Sequence, residues 1–138
     1  VTYAYDSSAK KVKGTYGTAT DKPMNDVKWT QKEIDDGDAP DGATTDTIKT
    51  SGLKPILISR VKESAENILN ETDWYVTRKS EKSTAIPSNI STHRDAVRAK
   101  QAEMETAITN AANTAALETL YARNNSGVRP LGDLPTLE

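Results

Sequence analysis

The side chains best equipped for chemistry are few in this chain, and they are not grouped. There is one His, His93, and no Cys. A lone imidazole without thiolates or a second His does not make the ligand set that zinc takes, and no disulfide can form. His93 is followed by Arg94 and Asp95, but no nucleophile elbow supplies a serine to complete a triad, and no Gly-rich phosphate loop is present. Asp35, Asp36, Asp38, Asp41 and Asp46 lie on a Gly-bearing stretch and are hard oxygen donors of the type calcium takes. Their spacing lacks the alternation and the closing Glu of a calcium loop, so a solvated acidic loop is the better reading. Paired carboxylates acting on a sugar need a cleft, which a thin helical chain does not offer. The triplets at Asn70, Asn89 and Asn124 match glycosylation acceptors, with no secretion signal beside them. The expectation is a protein that is not an enzyme, with no cofactor and no metal.

Composition narrows the class further. The 138 residues carry 18 basic and 20 acidic side chains, so bulk charge predicts no attraction to nucleic acid or to an anionic membrane surface. No apolar run approaches the roughly 20 residues of a membrane span. Val1 is a residue type that often follows a removed initiator Met, and the expectation is a nearly whole gene product. Phe is absent, and Leu, Ile and Val together number 23, below the level of a well-filled core. The low net charge argues against disorder. A chain this poor in large apolar groups is expected to share buried surface with neighbours, as a subunit and most simply as a homo-oligomer.

The elements divide into three parts: 1–52 (strand and loop), 53–125 (helical hairpin) and 126–138 (extended tail). Thr2-Tyr3-Ala4-Tyr5 and Val12 to Tyr16 read as two short strands around the turn-forming Asp6 to Lys10. Pro23 to Ile34 reads as a short helix anchored by Trp29, and Asp35 to Thr50 as a loop. Pro55 fits a helix start; Leu57, Val61, Ala65, Ile68 and Leu69 then fall on one face, ending near Glu71-Thr72. Lys79 to Thr84 reads as a polar turn. Pro87 or Ser88 opens a second helix with no breaker before Asn124, about 35 residues or roughly 50 Å. Ile90, Val97, Met104 and Ala111 recur at seven on it, and Ile108 follows Met104 by four. This is a partial heptad, weakened by Arg94 and Gln101. The last part places Leu131, Leu134 and Leu137 at intervals of three between prolines. In polyproline-like chain they would line one edge and lie in a neighbour's groove; the alternative is a frayed terminus. The fold expected is mainly α with a small β N-terminal part: an elongated helical hairpin with one long C-terminal helix.

Within the hairpin, Arg60 to Val76 ends in Ile68-Leu69-Asn70-Glu71-Thr72-Asp73-Trp74, and the second half reads Ala85-Ile86-Pro87 to Arg94-Asp95-Ala96-Val97-Arg98. This resembles a helical-hairpin module with a Thr-Asp-Trp signature found in tailed-phage tail fibre, tail assembly and other virion structural proteins. The resemblance covers about residues 56–103, with Thr72 to Trp74 its most specific piece. His93 stands where the family often has an aromatic. The resemblance implies folding and association, and it carries over no catalytic residue.

Physics gives the signature a job. Thr72 and Asp73 have short side chains that bond nearby backbone and stop or start helices. Trp74 offers a large surface that would pin the link against Ile68, Leu69, Ile90 and Val97, and its removal is then expected to cost about 3–5 kcal/mol. Arg94 or Arg98 would pair with Asp73 across the hairpin. The function expected is that of a bacteriophage virion structural protein of the tail (fibre, fibre-attachment or baseplate-proximal), in contact with other tail proteins. Alternatives are a tail-fibre assembly chaperone and a carbohydrate-binding tip using Tyr3, Tyr5, Tyr16 and Trp29.

Overall fold

The structure, a computed structural model, describes residues 2–15 and 21–137. The N-terminal pair forms as its alternating Thr, Tyr and Val residues predict: β1 (Thr2–Asp6) runs antiparallel to β2 (Lys11–Thr15), with Tyr5 opposite Val12. The predicted end of the second strand, Tyr16, lies outside the described residues. Among the described elements, this hairpin packs on no helix.

Residues 23–52 depart from the single helix expected over Pro23 to Ile34. A bridge of β3 (Val27–Lys28) with β4 (Ile48–Thr50) encloses one short helix, α1 (Gln31–Asp35). The helix starts late because Thr30 and Glu33 form a capping box, each side chain meeting the other's backbone N–H. Lys49 and Thr30 together hold the Glu33 carboxyl down at about 2. Residues 23–26 stay out of the helix because they cap the next one. The Gly52 N–H donates to the Asp26 carboxylate at 2.8 Å, Leu53 N–H to the Pro23 carbonyl at 2.8 Å and Lys54 N–H to the Met24 carbonyl at 2.9 Å. Those are the orphan donors of a helix start. Gly52 is required there, since a Cβ would lie 2.3 Å from the Asn25 backbone.

The helix so capped is α2 (Leu53–Asn70), with Pro55 in its first turn. After α3 (Asp73–Lys82), α4 (Ser88–Asn110) returns antiparallel to α2. The Lys54 ammonium bonds the Thr109 carbonyl at one end, and Arg94 bonds the Leu69 carbonyl at the other. The heptad residues Ile90, Val97, Met104 and Ala111 are all buried, as are Val61 and Ala65 of α2. A helix of this chain therefore covers the seam that the heptad predicted.

Two expectations are corrected. The second helix does not continue to Asn124; it stops at Asn110, and α5 (Thr114–Tyr121) begins anew. The Asn113 side chain caps it by accepting from the Ala116 N–H at 2.9 Å. Asn competes with helical backbone and favours such caps, and the turn lets Leu117 enter the core with Ile108 and Met104. The tail neither frays nor waits for a neighbour. Leu131 is 2% exposed within this chain's own core, and Leu134 packs against it. The Leu131 N–H bonds the Leu120 carbonyl at 2.9 Å. Arg123 and Arg129 both pair with Asp133, and Arg123 in particular holds the Asp133 carboxyl below its ordinary value. Only the last Leu escapes: Leu137 is 43% exposed.

The three leucines of the tail are thus unequal. Leu131→Ala should lower stability by about 2–5 kcal/mol, whereas Leu137→Ala should change it by about 0.5 kcal/mol or less. Urea denaturation of both variants checks this, and equal midpoints would contradict the placement of the tail.

Candidate interaction surface

The joint between α2 and α3 is built from the signature residues. At the end of α2 the Leu69 carbonyl, one of the last-turn acceptors without an i+4 partner, gathers donors from beyond the cap residue Glu71. The Thr72 N–H and the Thr72 hydroxyl each lie at 3.0 Å, and an Arg94 Nη1 at 2.8 Å. The same Nη1 donates to the Thr72 hydroxyl oxygen at 2.7 Å, and Nη2 to the Asp73 carboxylate at 2.7 Å. Thr72 is 3% and Arg94 8% exposed. A buried guanidinium has to have its donors met, and here each terminal nitrogen meets an acceptor. Its charge also faces the negative end of α2, while Asp73 stands in the first turn of α3, where a carboxylate is favoured.

Arg94, not Arg98, is therefore the partner of Asp73; Arg98 pairs with Asp95 on its own helix at 3.2 Å. The interruption that Arg94 makes in the heptad is the place where α4 grips the joint. Val97, one turn further on, is fully buried, and Met104 and Ile108 continue the seam into the core.

Trp74 is where the structure overturns the expectation. It is 51% exposed, so it does not pin the link against the hairpin core. The reason is α3 itself: the stretch after Asp73, expected to become a turn by Lys79, is helical through Lys82. Asp73 at its start and Lys79 and Lys82 in its last turn suit the macrodipole. Ser83 ends it in the left-handed conformation, φ 56. A helix leaving the joint in this direction carries Trp74 outward. Its ring stacks on Tyr75 with centroids 3.7 Å apart, and the Arg78 guanidinium lies over both, 4.8 Å from Trp74 and 5.2 Å from Tyr75. None of α3's described residues is buried, and among the helices it packs on α2 alone. Val76 is exposed as well.

Tyr75, Arg78, Lys79 and Lys82 were not singled out from the sequence. A signal was there: Trp74, Arg78 and Lys82 recur at four, which places them on one helical row. Reading residues 79–84 as a turn hid it.

Elsewhere the described residues offer less. A concavity of about 720 Å³ beside α4 is lined by Leu69, Arg98, Gln101, Glu105 and Thr106, among others. There Arg98 is engaged by Asp95 and Gln101 by Glu105. His93 is buried and borders a shallow groove with Ser88, Thr92 and Leu137. No group of three or more His, Asp or Glu close enough for a metal ion occurs among the described residues. Of the acidic loop, Asp36 pairs with Lys32 and Asp46 with Lys28. Of the aromatics considered for a sugar-binding tip, Tyr5 is exposed and Trp29 lies half-buried under the Lys49 ammonium. Tyr16 lies outside the described residues. No helix among the described residues is long and apolar enough to cross a membrane.

Comparison with protein-family models, curated proteins and solved structures finds no match to this chain.

Arg94→Met should destabilise the protein by about 2 kcal/mol, because it removes two charge-assisted bonds in a buried setting, although the Thr72 hydroxyl and the Leu69 carbonyl keep their bond to each other. The Asp73 contact, half open to water, adds little. Trp74→Ala should cost about 1 kcal/mol or less, the scale of an exposed cation–π contact. Thermal denaturation of the two variants checks the order; a larger loss at Trp74 would contradict it.

Proposed function

We propose that this chain is a non-enzymatic structural protein of a bacteriophage tail, held in the virion as a fibre, fibre-attachment or baseplate-proximal component. The observation that carries the reading is the division of labour within the signature. Thr72 and Asp73 are spent on the joint with Arg94, while the exposed Trp74, with the half-buried Tyr75 and Arg78 packed against it, forms an outward face of Trp, Tyr and Arg. Those three residue types dominate the energetics of protein–protein contacts. A rigid joint that aims such a face suits a subunit whose work is contact. The resemblance at residues 56–103 supplies the class of particle, and the partners that follow are other tail proteins and copies of this chain.

The rival within the same resemblance is a tail-fibre assembly chaperone, which acts on the particle and then leaves it. Protein identification on purified particles and on the infected-cell lysate separates the two. The tail reading predicts the chain in the particles at a fixed ratio to other tail proteins. Its presence in the lysate together with its absence from particles would overturn that reading in favour of the chaperone.

A further inference from the structure

Two features of the surface are left without partners, and they lie at opposite ends of α2. The first is the α3 face. Arg78, Lys79 and Lys82 take part in no ion pair among the described residues, and Asp73 is already engaged by Arg94. Glu81 is the one other carboxylate on the helix, so α3 presents an excess of cations around an exposed Trp. The Arg78 Nε is shielded from solvent without an acceptor, the one buried side-chain nitrogen or oxygen so left among the described residues.

The second feature is the loop from Asp35 to Asp46, which holds five aspartates and no Lys or Arg. Lysines outside the loop meet Asp36 and Asp46, and Gln31 meets Asp35. Asp38 and Asp41 have no side-chain partner among the described residues and stand exposed. The loop leads directly into β4 and the first turn of α2, whereas α3 follows its last turn. With 18 residues in α2, the two ends are separated by about 27 Å at 1.5 Å per residue. One chain cannot close this complementarity on itself along that rod, but two chains can.

We propose that copies of this chain associate head to tail, the Trp74–Arg78–Lys82 face of one copy holding the Asp38–Asp41 loop of the next. A contact between different surfaces of identical chains is heterologous. It leaves one free surface of each kind at the ends and continues into a ring or a filament. The aromatic stack holds Arg78 in place, and a carboxylate from the next copy gives the guanidinium a charge-assisted acceptor. Being built from exposed charges around an aromatic centre, the contact is sensitive to salt. This inference deepens the structural-subunit reading and rests on it.

Sedimentation velocity on the full chain, with two charge-reversed variants, tests the contact. Arg78→Glu/Lys82→Glu makes the α3 face acidic, and Asp38→Lys/Asp41→Lys makes the loop basic. All four positions lie outside the core, and circular dichroism confirms that each variant is folded. The parent chain should form concentration-dependent species larger than a dimer, weakened about tenfold or more by molar salt. Each variant alone should be monomeric. An equal mixture should associate again, because the reversed face of one variant meets the reversed loop of the other. A monomeric parent, variants that assemble as the parent does, or a mixture that stays monomeric would each overturn the proposal. None of these outcomes alters whether the chain is found in purified particles, so a failure here is distinct from a failure of the tail reading.

Discussion

A single buried guanidinium organises this molecule. Arg94 reaches from the first turns of α4 to the end of α2, to Thr72 between the helices and to the first residue of α3. A cation in that place is tolerable only because its terminal nitrogens find acceptors, and its bonds add to those that Thr72 already makes to the Leu69 carbonyl. The angle at which α3 leaves the hairpin follows from it, and so does the outward aim of Trp74. The rest of the seam, from Val97 to Ile108, is ordinary apolar packing.

The scarcity of large apolar side chains explains the remainder of the architecture. With no Phe and few Leu, Ile or Val, two helices alone bury too little. The chain therefore breaks after Asn110 so that α5 folds over the pair, and the tail adds Leu131 and Leu134. At the other end, residues 23–26 are spent on capping α2. The largest apolar side chains of α2, α4 and α5 are committed inside the protomer, while the aromatic and charged face of α3 and scattered aliphatics such as Val27, Ile48, Val76 and Val128 remain outside.

How much of this could be read beforehand depended on whether the deciding contact was local. The start of α2 close to Pro55 and the opening of α4 at Pro87-Ser88 were legible because helix-start chemistry lies within a few residues. The stripe from Ile90 to Ala111 was legible as buried. It did not say what buries it, since a helix of the same chain and one from a neighbour select the same spacing. The break at Asn113 was masked by the alanines around it, whose helix propensity outweighs one Asn in any local count. The destination of the tail depended on a groove made by three other elements. Thr72 and Asp73 were legible as residues that stop and start helices, and a pairing of Asp73 with an Arg of the second helix was legible too, but Arg94 and Arg98 were both open, since only the packing of α4 decides which of them faces the joint. The outward direction of Trp74 was not legible, because the direction of an aromatic depends on the element that carries it, and the polar run Lys79 to Thr84 has the composition of a turn although α3 extends through Lys82.

The central claim is that Arg94 holds α3 in place against an otherwise independent core. Hydrogen exchange on the parent and on Arg94→Met measures this directly, segment by segment. Amides of residues 75–82 should lose most of their protection in the variant, while those of Val97 to Ile108 keep the larger part of theirs. Unchanged protection across 75–82, or an equal loss along the whole chain, would contradict the account.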